Sequence, residues 1–483
     1  MHCPIPDWLR YAVLPLFVCI TLRAASASLD IQSAVDLARG APPEVAADAL
    51  LRLAAVDHVS KDLKTQLLEQ AFALAAGAPQ PYKRRSGFEP PKGPSAYLTR
   101  VYRQDLDAES LRVRAVTAML IADASKARDL FQQIPALNLP PLSCDDFTVY
   151  DVDDFYDLLG QVTAQAFSLK EIRQGDRAHF LARYIGGIHS AVEVTPAARL
   201  LATASIDDAE FQQVVTSFAG ALIRISGDDR SFTEGARRAG PAILALVPLA
   251  QRRGISPLVI LDAYRLFLVN NLSSLRCADA KTTEAVDSPV TFFNDRLALA
   301  PLQPLTDQEI APAKVEGEAK GVDWCDTPEC KDIRAQFLAL IRRDDGQPYQ
   351  PAQKQQSEWQ AKVRDFLNAL ADWTGPSGEA PVDHFRERVE FYNQLLALVP
   401  NGDTREFVLH SFLAFLMQSQ LPPEDRMEWL FAASALVERV NTDSTLRDHM
   451  AADLCHANDP VIALYMSLES IAPMPAEQAI QRL

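Results

Sequence analysis

The chain has 483 residues, of which 48% are hydrophobic and 23% charged. That is enough apolar material for large cores, and it excludes a disordered or collagen-like polymer. With 47 Lys and Arg against 63 Asp and Glu, the formal charge is -16, which argues against nucleic acid or an anionic membrane as partner, since both need clustered cations to displace counterions.

At the N-terminus Arg10 precedes an apolar run, Tyr11 to Leu22, and the small residues Ala25-Ser26-Ala27 follow. The run is shorter than the roughly 20 residues that cross a bilayer, and a small-x-small site is what signal peptidase reads. Residues 1–27 are therefore expected to be an export signal and the mature chain to begin at Ser28, in a periplasmic or extracellular compartment. No later stretch is long and apolar enough to span a membrane. Export removes Cys3 and Cys19 and leaves Cys144, Cys277, Cys325, Cys330 and Cys455. An odd number leaves at least one thiol unpaired within the chain. Cys325 and Cys330 flank a turn-forming Asp-Thr-Pro-Glu and are the expected disulfide in an oxidising compartment. The spacing leaves the pairing of Cys144 and Cys277 open, and Cys455 reads as a buried small hydrophobe.

Along the mature chain, apolar residues recur in steps of three and four, which places them on one face of a helix. The stripes are Leu63, Leu67, Ala71 and Leu74; Phe211, Val215, Phe218, Leu222 and Ile225; Ile333, Phe337 and Ile341; Trp359, Val363, Phe366, Leu370 and Trp373; Phe385, Val389, Tyr392, Leu396 and Val399; and Leu430, Ala433, Val437 and Val440. No segment alternates with period two over a strand's length, so the expected class is all-α. The aromatic positions read as core rather than as sugar-stacking platforms, because they fall on amphipathic faces. Pro79 to Pro94 is rich in Pro and Gly and locally basic at Lys83-Arg84-Arg85, and reads as a solvated loop.

Glu109 to Leu120 and Ser125 to Pro135 form a helix-turn-helix with Ala127, Phe131 and a closing Pro135. This pair resembles a tetratricopeptide-type unit, whose second helix carries an A-x3-F step. The resemblance covers residues 109–135. It implies irregular, α-solenoid-like packing of antiparallel helix pairs, and it carries over no binding residues. From 278 to 322 large apolar residues thin out, and this segment is expected to connect an N-terminal lobe, 28–277, to a C-terminal lobe, 323–483.

Three groups of polar residues are candidate sites. Asp145, Asp146, Asp151, Asp153, Asp154 and Asp157 offer oxygens to a hard cation, but without the glycine and closing glutamate of a calcium loop. Asp153 and Asp154 suit the first turn of a helix. His449, Asp453 and His456 share a helical face, with Cys455 turned away, and lack a full ligand set. Glu406 and His410 fit an i,i+4 pair at the edge of a packing face. No nucleotide, haem, nucleophile-elbow or zinc-protease signature occurs. The expectation is therefore no catalytic, metal or cofactor residue, and an exported binding or scaffolding protein that presents a helical groove to a protein or peptide. The alternative is an all-α hydrolase or lyase whose acid and base come from distant segments.

Overall fold

Helices form where the apolar stripes demand them throughout a computed structural model, which describes residues 26–87, 93–144, 146–227, 230–277, 289–298, 301–314, 325, 327–341, 356–375, 379–400, 402–442, 450 and 459–471. The export signal, apart from Ser26 and Ala27, and the His449–His456 group lie outside these residues. The fold is all-α. Among the described residues the only strands are β1, Arg84–Arg85, and β2, Val149–Tyr150, paired antiparallel with Arg84 opposite Tyr150. No described helix is long and apolar enough to cross a membrane.

The chain divides into two compact units, residues 60–321 and residues 1–59 with 322–483. The first helices are α1, Ser26–Arg39, and α2, Pro43–Ala54, both in the second of these units.

The unit 60–321 begins with α3, Lys61–Ala75, and continues through α4, Gly93–Tyr102, α5, Ala108–Ala122, α6, Ala124–Phe131, and α7, Asp153–Gln165. Then follow α8, Leu169–Gln174, α9, Asp176–Gly186, α10, Ala191–Thr203, α11, Asp208–Arg224, α12, Arg230–Arg252, and α13, Leu258–Asn271. The starts are fixed by local chemistry, because an N-terminal turn leaves backbone amides without helical partners. Ser60, Asp107, Asp123 and Asp207 each accept a hydrogen bond from the backbone amide three residues on, at Leu63, Ser110, Lys126 and Glu210. Helices two apart in sequence lie side by side: α3 against α5, α5 against α7, α9 against α11, α10 against α12 and α11 against α13. Phe131, at the end of α6, is fully buried against Phe155, Phe180 and Tyr184, with ring centroids 5.1 to 5.9 Å away.

The other unit adds α14, Pro328–Ile341, α15, Gln356–Asp372, α16, Pro381–Leu398, α17, Asp403–Gln418, α18, Arg426–Thr442, and α19, Pro460–Ile471. The 359–373, 385–399 and 430–440 stripes are buried along their whole length. Tyr392 stacks on Phe412 and Phe415. The stripe on α3 is rotated from its expected face: Leu63 is exposed, and Leu68 and Phe72 join Leu67 and Ala71 in the core.

The division differs from the one expected at 28–277, 278–322 and 323–483. Helices α1 and α2 lie against α19, where Val45, Leu50 and Leu53 meet the same unit's core as Ile462, Leu464 and Leu468, all buried. Glu44 of α2 is held bidentately by Arg426 of α18, at 2.6 and 3.1 Å. A helical stripe shows that a face is buried without showing which distant face covers it. The described parts of 278–322 belong to the unit 60–321, where Phe293 and Leu297 are buried, Phe293 lies near Tyr264, and Arg265 Nη2 reaches Glu309 Oε2 at 2.8 Å. Residues 278–288, 299–300 and 315–322 lie outside the described ones.

Candidate functional sites

The basic loop and the acidic segment, distant in the sequence, meet. Lys83 Nζ lies 2.9 Å from Asp105 Oδ1 and 3.2 Å from Asp154 Oδ2. Arg84 Nη1 lies 3.7 Å from Asp146 Oδ1 and its guanidinium covers the Tyr150 ring, while Arg85 Nε is 3.9 Å from Asp151 Oδ2. The loop is therefore not the solvated segment its composition suggested. Pairing of β1 with β2 brings cations and carboxylates together, and each sign compensates the other's loss of hydration. Burial alone would lower the Lys83 pKa, but Asp105 and Asp154 raise it overall. Asp105, the one described non-glycine residue with positive φ, 54°, is held in this network, and Asp tolerates the left-handed region better than most side chains. Brief trypsin treatment of the folded protein is expected to spare the bonds after Lys83, Arg84 and Arg85. Early cutting at any of them would contradict this packing.

Beneath the loop, Asp107 caps α5 while fully buried, and burial pushes its carboxyl up to about 7. The folded state then holds a proton more tightly than the unfolded chain does, so stability falls as pH rises from about 4 to about 7. Asn also caps helices. Asp107→Asn is expected to flatten that fall, by on the order of 4 kcal/mol at most. Denaturant melts across this pH range check it, and an unchanged slope would contradict it.

A cavity of about 220 Å³ opens in the same unit. Its apolar walls are Leu139, Pro141, Ile225 and Phe232, its polar groups come from His189, Ser190 and Asn271, and exposed Ser226 lies at its rim. Three chain segments are fastened around it. Asn271 Nδ2 donates to the Ile225 carbonyl at 2.9 Å, Ser274 Oγ donates to the Gly227 carbonyl at 2.9 Å, and Arg230 Nη1 donates to the Cys144 carbonyl at 3.0 Å. A disulfide between Cys144 and Cys277 closes the set, joining the segment that follows Pro141 to the one that follows Asn271. Part-exposed His189 has its Nδ1 3.5 Å from Glu193 Oε2. That carboxylate accepts from the His189 and Ser190 amides, and Tyr156 donates its hydroxyl to Oε1 at 2.9 Å. Burial nonetheless raises the Glu193 pKa.

In the other unit Cys325 and Cys330 are joined by a disulfide, with Cα atoms 5.3 Å apart. Both sulfurs lie close to Glu387 on α16, whose carboxylate also stands within 4.8 Å of donor atoms of Glu379 and His384. His384 is packed edge-on to Trp373, at 4.5 Å between centroids. Burial, with the nearby Arg388 cation adding to it, lowers the imidazole to about 4, so the ring is neutral at physiological pH. Burial raises the Glu379 pKa, assisted by Asp383 and Glu329. No sequence motif marks this group. His384 and Glu387 stand three apart on one helix, which was a legible signal, but Glu379 precedes Pro381 in a loop whose path no motif records. Glu406 and His410 form the expected i,i+4 pair, 3.7 Å apart.

Compared with protein-family models, with characterised proteins and with solved structures, the chain matches none.

Proposed function

We propose that this is an exported binding protein whose unit 60–321 receives an apolar side chain of a protein or peptide partner in the cavity beside His189. The observation that carries the reading is a preformed cavity whose walls are cross-linked. Its volume is below the roughly 300 Å³ at which sites for whole drug-sized ligands begin, and it suits a single anchoring side chain of the kind that dominates protein interfaces. Walls fastened by hydrogen bonds and a disulfide lose little freedom on binding, which leaves more of the contact energy as affinity. Two disulfides within the described residues support a location outside the reducing cytosol, and the intact mass of the exported chain should correspond to a start at Ser28.

Selection of a displayed random-peptide library on the full chain tests the binding reading. Enriched peptides should share one large apolar anchor and should lose binding to Ser226→Trp, which places an indole at the cavity mouth. Absence of enrichment, or equal binding to Ser226→Trp, would refute it. A second reading, a hydrolase or lyase, draws on one observation: His189 and Glu193 form an imidazole–carboxylate pair at the same cavity, an arrangement suited to proton transfer. Under that reading His189→Ala abolishes turnover of an ester or glycoside probe.

A further inference from the structure

The group at the start of α16 has a chemical requirement that hydrogen bonding within the protein does not meet. His384 Nε2 faces the Trp373 carbonyl oxygen at 3.1 Å. A carbonyl can only accept, so Nε2 carries the proton and the neutral ring presents a lone pair at Nδ1. That nitrogen faces Glu379 Oε2 at 3.8 Å, and both atoms are buried without a hydrogen-bond donor. Two acceptors that face each other repel, and 3.8 Å is too long for them to share a proton. Glu387, one turn further along the helix, brings a second carboxylate within 4.8 Å of both. Asp383 and Glu329 add negative potential and Arg388 opposes it.

The backbone leaves room at this point. Gly375 has φ 75°, and a Cβ there would lie 2.8 Å from Glu379 Oε2 and 2.8 Å from His384 Nδ1. The space in front of both atoms is therefore open only because residue 375 has no side chain.

We propose that Glu379, His384 and Glu387 bind one divalent transition-metal ion of the zinc class. Two carboxylates neutralise the double charge, and a neutral imidazole selects a borderline cation over calcium or magnesium, which prefer oxygen ligands alone. The Nε2–H bond to the Trp373 carbonyl is the outer contact that fixes a ligating histidine's tautomer and ring orientation. Three protein ligands leave a fourth position for water, as in sites where zinc acts on a substrate. While Cys325 and Cys330 are bonded to each other their sulfurs are not ligands. This site is independent of the peptide-binding reading of the other unit.

The test uses purified full-length chain with its disulfides intact and Zn²⁺ alone as the probe. Titration calorimetry should show saturable binding of one ion per chain, with a rise in melting temperature. Co²⁺ in its place should give visible absorption bands that Zn²⁺ abolishes. Glu379→Gln and His384→Gln should each weaken Zn²⁺ binding by about tenfold or more, and Gly375→Ala should do the same by filling the space. His449→Gln with His456→Gln is the control and should bind normally. Should His384→Gln fail to fold, Glu379→Gln and the Co²⁺ spectrum decide the matter. No saturable binding, affinity unchanged in Glu379→Gln, or binding lost only in the control would overturn the proposal.

Discussion

Replacing Cys144 and Cys277 together by Ser is expected to destabilise the unit 60–321 by about 5 kcal/mol, whereas the same change at Cys325 and Cys330 should cost the other unit about 2 kcal/mol. The two bonds close loops of very different size, with sequence separations of 133 and 5, and the entropy a cross-link removes from the unfolded chain grows with the logarithm of that size. The units can be read separately. All five tryptophans, Trp8, Trp324, Trp359, Trp373 and Trp429, lie outside residues 60–321, so indole fluorescence follows one unit while circular dichroism follows both. The first double variant should move an early circular dichroism transition and leave the fluorescence transition in place. The second should shift the fluorescence transition by less. Equal effects, or a fluorescence shift in the first variant, would contradict this arrangement.

Arg426→Ala should lower the fluorescence-detected stability by on the order of 2–4 kcal/mol. The guanidinium makes two hydrogen bonds to Glu44, whose side chain is 2% exposed. Its loss strands a buried carboxylate, and an unpaired buried charge costs more than the pair itself contributes. Arg426 is itself 31% exposed, which holds the effect below that of a fully buried pair. Replacing both partners by Met should recover most of the loss, because an apolar pair needs no hydration. Were α2 part of the unit 60–321, as its place in the chain suggests, Arg426→Ala would behave as a surface substitution and cost little.

The helices were legible because burial of one face imposes a spacing on the chain. Phe211 to Ile225 and Phe385 to Val399 are buried at every position the spacing selects. Pro196, Pro241 and Pro248 lie inside α10 and α12, where local propensity alone would end a helix, so packing overrides punctuation there. Lys83-Arg84-Arg85 reads as solvated, and the aspartates of 146–154 read as cation ligands or a helix start, because composition carries no information about a partner some 65 residues away. The attachment of α1 and α2 to α19 was hidden for the same reason. The Glu379–His384 approach depends on a glycine turn at 375, and spacing does not encode the direction in which such a turn sends the chain. Cys325 and Cys330 needed no distant information, since the turn between them keeps their separation short.

The affinity of one library-selected peptide, measured by calorimetry on the unaltered chain and on Ser226→Trp, tests the binding reading most directly. A loss of about tenfold or more is expected in Ser226→Trp, the scale of one displaced interface anchor, with circular dichroism and melting temperature unchanged. Equal affinity in the two proteins would contradict it and would move the binding surface away from the cavity beside His189.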